Sequence, residues 1–126
     1  MATAAARVTV SGAGSGIVNG AYARRDASLV PTAFALVCDG SGWDAGATWK
    51  RLNGPRAWWE APNGSYMYLN SGDQMWWLDS GMTGLGLYVS RAAGDGDAPP
   101  QGGWAALRDG ELPLPTVSVA SGLSEL

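Results

Sequence analysis

The stretch Ser65-Tyr66-Met67-Tyr68-Leu69, Asn70-Ser71-Gly72-Asp73, Gln74-Met75-Trp76-Trp77-Leu78 decides the fold. Two runs of aromatic and aliphatic residues flank a cluster of turn formers, the pattern of a β-hairpin built around Ser71-Gly72. Two- and four-residue loops give one register, with Tyr66 opposite Trp77, Tyr68 opposite Met75, Met67 opposite Trp76 and Leu69 opposite Gln74. Cross-strand partners point the same way. One face therefore presents Tyr66, Tyr68, Met75 and Trp77, and the other Met67, Leu69, Trp76 and Leu78. A hairpin with one wet face alternates apolar with polar, whereas both faces here are apolar. The hairpin is either sandwiched between two layers or keeps one face for a partner.

The doublets Trp58-Trp59 and Trp76-Trp77 carry the same message, because neighbours on a strand point to opposite faces. With period two, Trp77 shares a face with Asp79, and Trp58 shares one with Glu60. Trp59, Trp77, Tyr66, Tyr68, Glu60 and Asp79 are therefore the candidate partner-binding residues. An aromatic platform beside a carboxylate suits a sugar, and an aromatic patch with a polar rim suits a protein. Trp43, Trp49 and Trp104 stand singly and read as core or lid residues.

Working outward, Arg7-Val8-Thr9-Val10 reads as a first strand, Ala21-Tyr22-Ala23-Arg24-Arg25 as a second, and Leu85-Gly86-Leu87-Tyr88-Val89-Ser90 as another after the hairpin. Between the first two strands and the hairpin, Phe34, Val37 and Cys38 follow Pro31 at helical spacing, predicting a helix over 31–38 ended by Gly40. Asp44 suits an N-cap for a second helix over 44–52, with Trp49 and Leu52 on one face and Asn53-Gly54 as its stop. Strand alternatives stay open for both segments, since eight residues discriminate periods poorly. The expected fold is mainly β, a small antiparallel sandwich or barrel-like sheet with one or two short helices. The chain reads as one domain over 1–126, with a core over about 8–117 and flexible ends at 1–6 and 120–126.

Composition narrows the function classes. Nineteen glycines and seven prolines in 126 residues argue for many turns, and seven tryptophans supply much of the core of so diluted a chain. There is no histidine, so neither a Ser-His-Asp nor a Cys-His arrangement can be built. The single cysteine, Cys38, lies in an apolar run and reads as a buried thiol. Nothing calls for a cofactor or a metal; the alternating acids Asp95 and Asp97 lack the further oxygen ligands of a calcium loop. No stretch approaches the roughly 18 apolar residues of a membrane span. The start lacks the basic and apolar parts of a secretory signal, and an Ala/Arg-rich transit peptide is its alternative to a first strand. The expected location is intracellular and cytoplasmic.

The net charge of −3 is of the wrong sign for a nucleic-acid binder, and the acidic half holds most of the aromatics. The charge is also uneven. Residues 1–56 carry six basic groups against three acids, while 57–126 carry two against eight, a split that could orient a partner or draw two copies together.

Val8-Thr9-Val10-Ser11-Gly12-Ala13-Gly14-Ser15-Gly16-Ile17 looks like the strand and glycine loop that open short-chain dehydrogenases. A dinucleotide site needs a helix to begin there, but Asn19-Gly20 is a turn signal, and no tyrosine has a lysine four residues on. The glycines read instead as a tight connection out of the first strand. Near the end, Leu112-Pro113-Leu114-Pro115 reads as an extended segment packed on the domain's own tryptophans.

The ordered set Val10-Ser11-Gly12-Ala13-Gly14, Asn19-Gly20-Ala21-Tyr22, Asn63-Gly64-Ser65-Tyr66, Trp76-Trp77, Gly86-Leu87-Tyr88, Pro99-Pro100 with Gly103-Trp104, and Pro113 to Val117 resembles a Trp/Gly-rich module of protist and algal multidomain proteins. The resemblance spans roughly 8–117. No activity is established for that module, so it implies a scaffold or interaction role and carries over no functional residue. Within the chain, Asn19-Gly20-Ala21-Tyr22 and Asn63-Gly64-Ser65-Tyr66 hint at an internal repeat.

The leading expectation is a non-catalytic interaction module that binds a protein partner, or a second copy of itself, through exposed aromatic residues. A glycan-binding module is the alternative, with Trp59 or Trp77 stacking on sugar rings and Glu60 or Asp79 accepting hydroxyl hydrogen bonds. A glycosidase using Glu60 and Asp79 as its two carboxylates ranks third.

Overall fold

The computed structural model describes residues 5–91 and 98–121. Its strands are β1 (Ala5–Ser11), β2 (Gly20–Arg25), β3 (Trp58–Glu60), β4 (Tyr66–Asn70), β5 (Met75–Asp79), β6 (Gly86–Ser90), β7 (Trp104–Ala106) and β8 (Thr116–Ser121). Helices α1 (Thr32–Ser41) and α2 (Ala45–Asn53) are inserted between β2 and β3. All neighbouring strands pair antiparallel in the order β7-β6-β5-β4-β3-β2-β1-β8, forming a curled half-barrel whose edges are β7 and β8. The mainly β expectation with two short helices is met. None of the described helices is long and apolar enough to cross a membrane.

The concave core gathers Val8, Tyr22, Trp59, Met67, Trp76 and Tyr88, all between 0% and 2% exposed. On the convex face Trp58, Tyr66 and Tyr68 are covered by Ala33 of α1 and Trp49 of α2. This resolves the two-faced hairpin: it is sandwiched, with the helices as the second layer.

Both helices end where the local chemistry requires. Asp44 caps α2, its carboxylate accepting from Ala47 N at 2.7 Å, and Gly54 closes it at φ 66°. The helix α1 runs through Gly40 to Ser41 and stops at Gly42, which holds the left-handed conformation (φ 77°) that glycine adopts without steric cost. Cys38 is buried, as expected, and burial raises its thiol pKa, with Asp39 adding to the effect.

The hairpin register differs from the expected one by two residues. Tyr66 lies opposite Asp79, Tyr68 opposite Trp77, and Asn70 opposite Met75. The turn is 71–74 rather than 70–73, because Asn70 stays in the ladder: its carbonyl accepts from Gln74 N and its side-chain oxygen from Gly72 N, both near 2.8 Å. Gln74 takes up the reversal at φ 60°. A slip of two preserves facing, so the division of residues between faces is unchanged.

Pairing also extends past the expected core: β1 begins at Ala5 and β8 runs to Ser121, its partner in the ladder. The two Asn-Gly-x-Tyr tetrapeptides are not equivalent, since Tyr22 fills the concave core and Tyr66 the helix-covered side. The loop holding Asp95 and Asp97 lies outside the described residues.

Candidate functional site

The six residues expected to meet a partner are divided between the two layers. Trp59 enters the concave core beside Trp76, ring centres 6.0 Å apart, and is 0% exposed. Tyr66, Tyr68 and Asp79 lie under the helices at 0%, 4% and 4% exposure. Trp77 is half-buried, its indole N–H donating to Asp73 Oδ2 at 2.8 Å. Glu60 is half-buried and accepts from Arg25 Nε at 2.9 Å. The expected aromatic surface is therefore corrected. The sequence does not reveal that 32–53 folds back over the convex face and removes that surface from solvent. Among the single tryptophans, Trp49 and Trp104 are buried as expected, whereas Trp43 is 58% exposed on the turn between the helices.

Trp49 is the hub of the covered layer. Its ring meets Phe34 at 4.9 Å, Tyr68 at 4.8 Å, Trp58 at 5.5 Å and Tyr66 at 6.1 Å, mostly edge to face, the geometry that aromatic quadrupoles favour. Asp79 shares this layer. Burial raises its carboxyl pKa to about 8, so it is largely protonated at neutral pH. The Tyr66 hydroxyl opposes the rise, although neither it nor Asp79 Oδ1 completes a hydrogen bond of normal geometry.

The glycine loop after β1 is a structural clamp. Gly16–Val18 form a single 3-10 turn where a dinucleotide fold would place a helix. Ser15 N donates to the Tyr88 hydroxyl, which donates to the Glu111 carbonyl, while Glu111 N donates to Ser15 Oγ. Gly14 N donates to the Pro113 carbonyl at 2.9 Å, and a Cβ on Gly14 would stand 2.2 Å from the Leu112 carbonyl oxygen. Leu112 and Pro113 thus lie over this loop, with Leu112 73% and Leu114 40% exposed and Pro115 buried.

Open clefts lie at both ends of the strands. The first, of about 530 Å³, lies between the β2–α1 connection and α2; Ala27, Val30, Trp49 and Pro55 form its apolar walls, with Gly46 and Lys50 also lining it. Through Ala27 and Pro55 it continues into a groove of about 390 Å³ lined by Arg24, Arg25 and Asp26. The second cleft, of about 540 Å³, is lined by Ile17, Met82, Leu85 and Leu87 with Asp109 and Glu111. It sits at the opposite end of the strands, where β1 turns into β2, β5 into β6 and β7 into β8.

Sequence reasoning missed both clefts. Lys50 falls inside the helix expected over 44–52, and nothing in the sequence pattern marks it or Pro55 as lining a cleft. A signal existed at Met82, a large apolar residue in the turn sequence Ser80-Gly81-Met82-Thr83-Gly84, where no strand can bury it; it is 79% exposed. Comparisons with protein-family models, with curated proteins and with solved structures find no match to this chain.

Proposed function

We propose that this chain is a non-catalytic interaction module that binds a protein partner at the cleft beside Trp49, in keeping with the Trp/Gly-rich modules it resembles. The observation that carries the reading is the form of that cleft. It is concave and apolar, bordered by the exposed cation Lys50, and its floor is held rigid by the aromatic cluster around Trp49. Preformed apolar pockets with a few polar groups at the rim are where binding energy concentrates. Rigid walls also reduce the ordering cost of association. The protein-partner reading is retained over the glycan reading because the residues that would stack on a sugar are buried or tied: Trp59 is 0% exposed, and the Trp77 indole is held by Asp73.

Gly46→Phe tests the reading without disturbing the fold. Gly46 lines the cleft within α2, where a Cβ meets only Asp44 Oδ1 at an ordinary 3.5 Å. The added ring fills the cleft. Affinity capture from the native source with wild type and Gly46→Phe is expected to lose a defined set of partners with the variant. Recovery of identical partners by both baits would overturn the assignment.

A further inference from the structure

The two clefts differ in sign, and exposed apolar side chains stand at the edge of one of them. At one end of the strands, Met82 (79% exposed) and Leu85 (49%) stand exposed at the edge of the cleft as an apolar projection that shares its lining with the carboxylates of Asp109 and Glu111. Neither carboxylate has an ion-pair partner among the described residues. Arg108 is exposed nearby but does not line this cleft. At the other end, the apolar pocket of Val30, Trp49 and Pro55 is bordered by Lys50 and runs into the groove of Arg24 and Arg25. Glu60 neutralises Arg25, and the Asp26 carboxylate is engaged by Ser28 N and Oγ. Of the other cations lining these two hollows, Lys50 has no ion-pair partner among the described residues, and Arg24 shares the field of the Asp26 carboxylate. No residue is shared by the two ends, so one molecule can use both at once.

We infer that copies of this chain associate head to tail, the Met82 projection of one entering the Trp49 cleft of the next with Asp109 and Glu111 set against Lys50 and Arg24. The inference rests on the interaction-module reading and names a second copy as the partner. The uneven charge supports it: the half of the chain that supplies the pocket is basic and the half that supplies the projection is acidic. Apolar anchors supply affinity in such contacts, while opposed charges set orientation and rate. A contact between two different surfaces of identical chains is heterologous, and it grows into open rows or rings rather than stopping at a dimer.

Sedimentation velocity over a concentration series, with circular dichroism as the check on folding, tests this. Met82→Lys disables the projection and Lys50→Glu disables the cleft; both side chains are exposed, so the fold is retained. Wild type is expected to form species that grow with concentration and dissociate in high salt. Each variant alone is expected to associate at least about tenfold more weakly. An equimolar mixture is expected to restore a 1:1 heterodimer and nothing larger, because the remaining cleft of Met82→Lys accepts the remaining projection of Lys50→Glu.

Wild type that stays monomeric at every concentration overturns the inference, as does either variant associating like wild type or a mixture that forms no dimer. The wider interaction reading fails separately. If wild type is monomeric yet Gly46→Phe still loses captured partners, the cleft binds another protein and only the self-association is wrong.

Discussion

Tyr66 and Asp79 stand directly opposite each other across the β4–β5 ladder, both beneath the helical layer and both shut off from solvent. The pair sits where an exposed aromatic platform with its carboxylate was expected. Tyr66 packs its ring on Trp49 and so joins the sheet to α2, and the open clefts lie at the ends of the strands instead.

A pH dependence follows from Asp79. Its carboxyl titrates near 4 in the unfolded chain and at about 8 in the fold, so the folded state holds the extra proton between these values. Stability from this group is complete below about pH 4 and declines as pH rises toward about 8. Asp79→Asn removes the titration. The melting temperature of the variant minus that of wild type is expected to increase from pH 5 to pH 8 and then level off; a constant difference would contradict the assignment.

Trp49 joins the helices to the sheet, so Trp49→Ala should remove most of the covering layer's adhesion. A loss of about 3–5 kcal/mol is expected in urea unfolding, the range for emptying a buried indole site. Trp49→Phe keeps part of the ring packing and should lose less. Equal losses from the two variants would mean that the four ring contacts do not carry the layer.

Gly14 and Gly16 provide a paired test of the clamp. A methyl group on Gly14 collides with the Leu112 carbonyl, whereas one on Gly16 meets nothing within 4 Å. Gly14→Ala is expected to cost about 1–3 kcal/mol through forced movement of the 111–113 segment. Gly16→Ala should be close to neutral, and denaturant midpoints compare the two directly.

The hairpin turn offers a stabilising change. Gln74 adopts φ 60°, a conformation that costs an L-residue about 1–2 kcal/mol and glycine little. Gln74→Gly should relieve this strain but loses the bond from Gln74 Nε2 to the Ser71 carbonyl. A net gain of about 0.5–1 kcal/mol is expected, measured as a shift in denaturant midpoint.

Much of the fold was legible because local signals agreed with it. Asp44, Asn53 and Gly54 mark α2 by capping chemistry, and the alternation in 66–69 and 75–78 sets the facing of the hairpin even though its register moved by two. The curl of the sheet and the return of β8 to β1 were not legible, since they depend on pairing residues as far apart as Val10 and Val117. The candidate site was misplaced for the same reason. Trp58 and Trp59 were rightly assigned to opposite faces, but whether a face is wet depends on where Ala33 and Trp49 come to rest, and periodicity within one strand carries no information about that.

The most direct measurement of the central claim is amide chemical-shift mapping of the isotopically labelled chain as the captured partner is added. Perturbations are predicted to cluster at 27–30, 46–50 and Gly54, and to vanish in Gly46→Phe. Perturbations confined to other surfaces, or retained in the filled variant, would contradict the placement of the binding site beside Trp49.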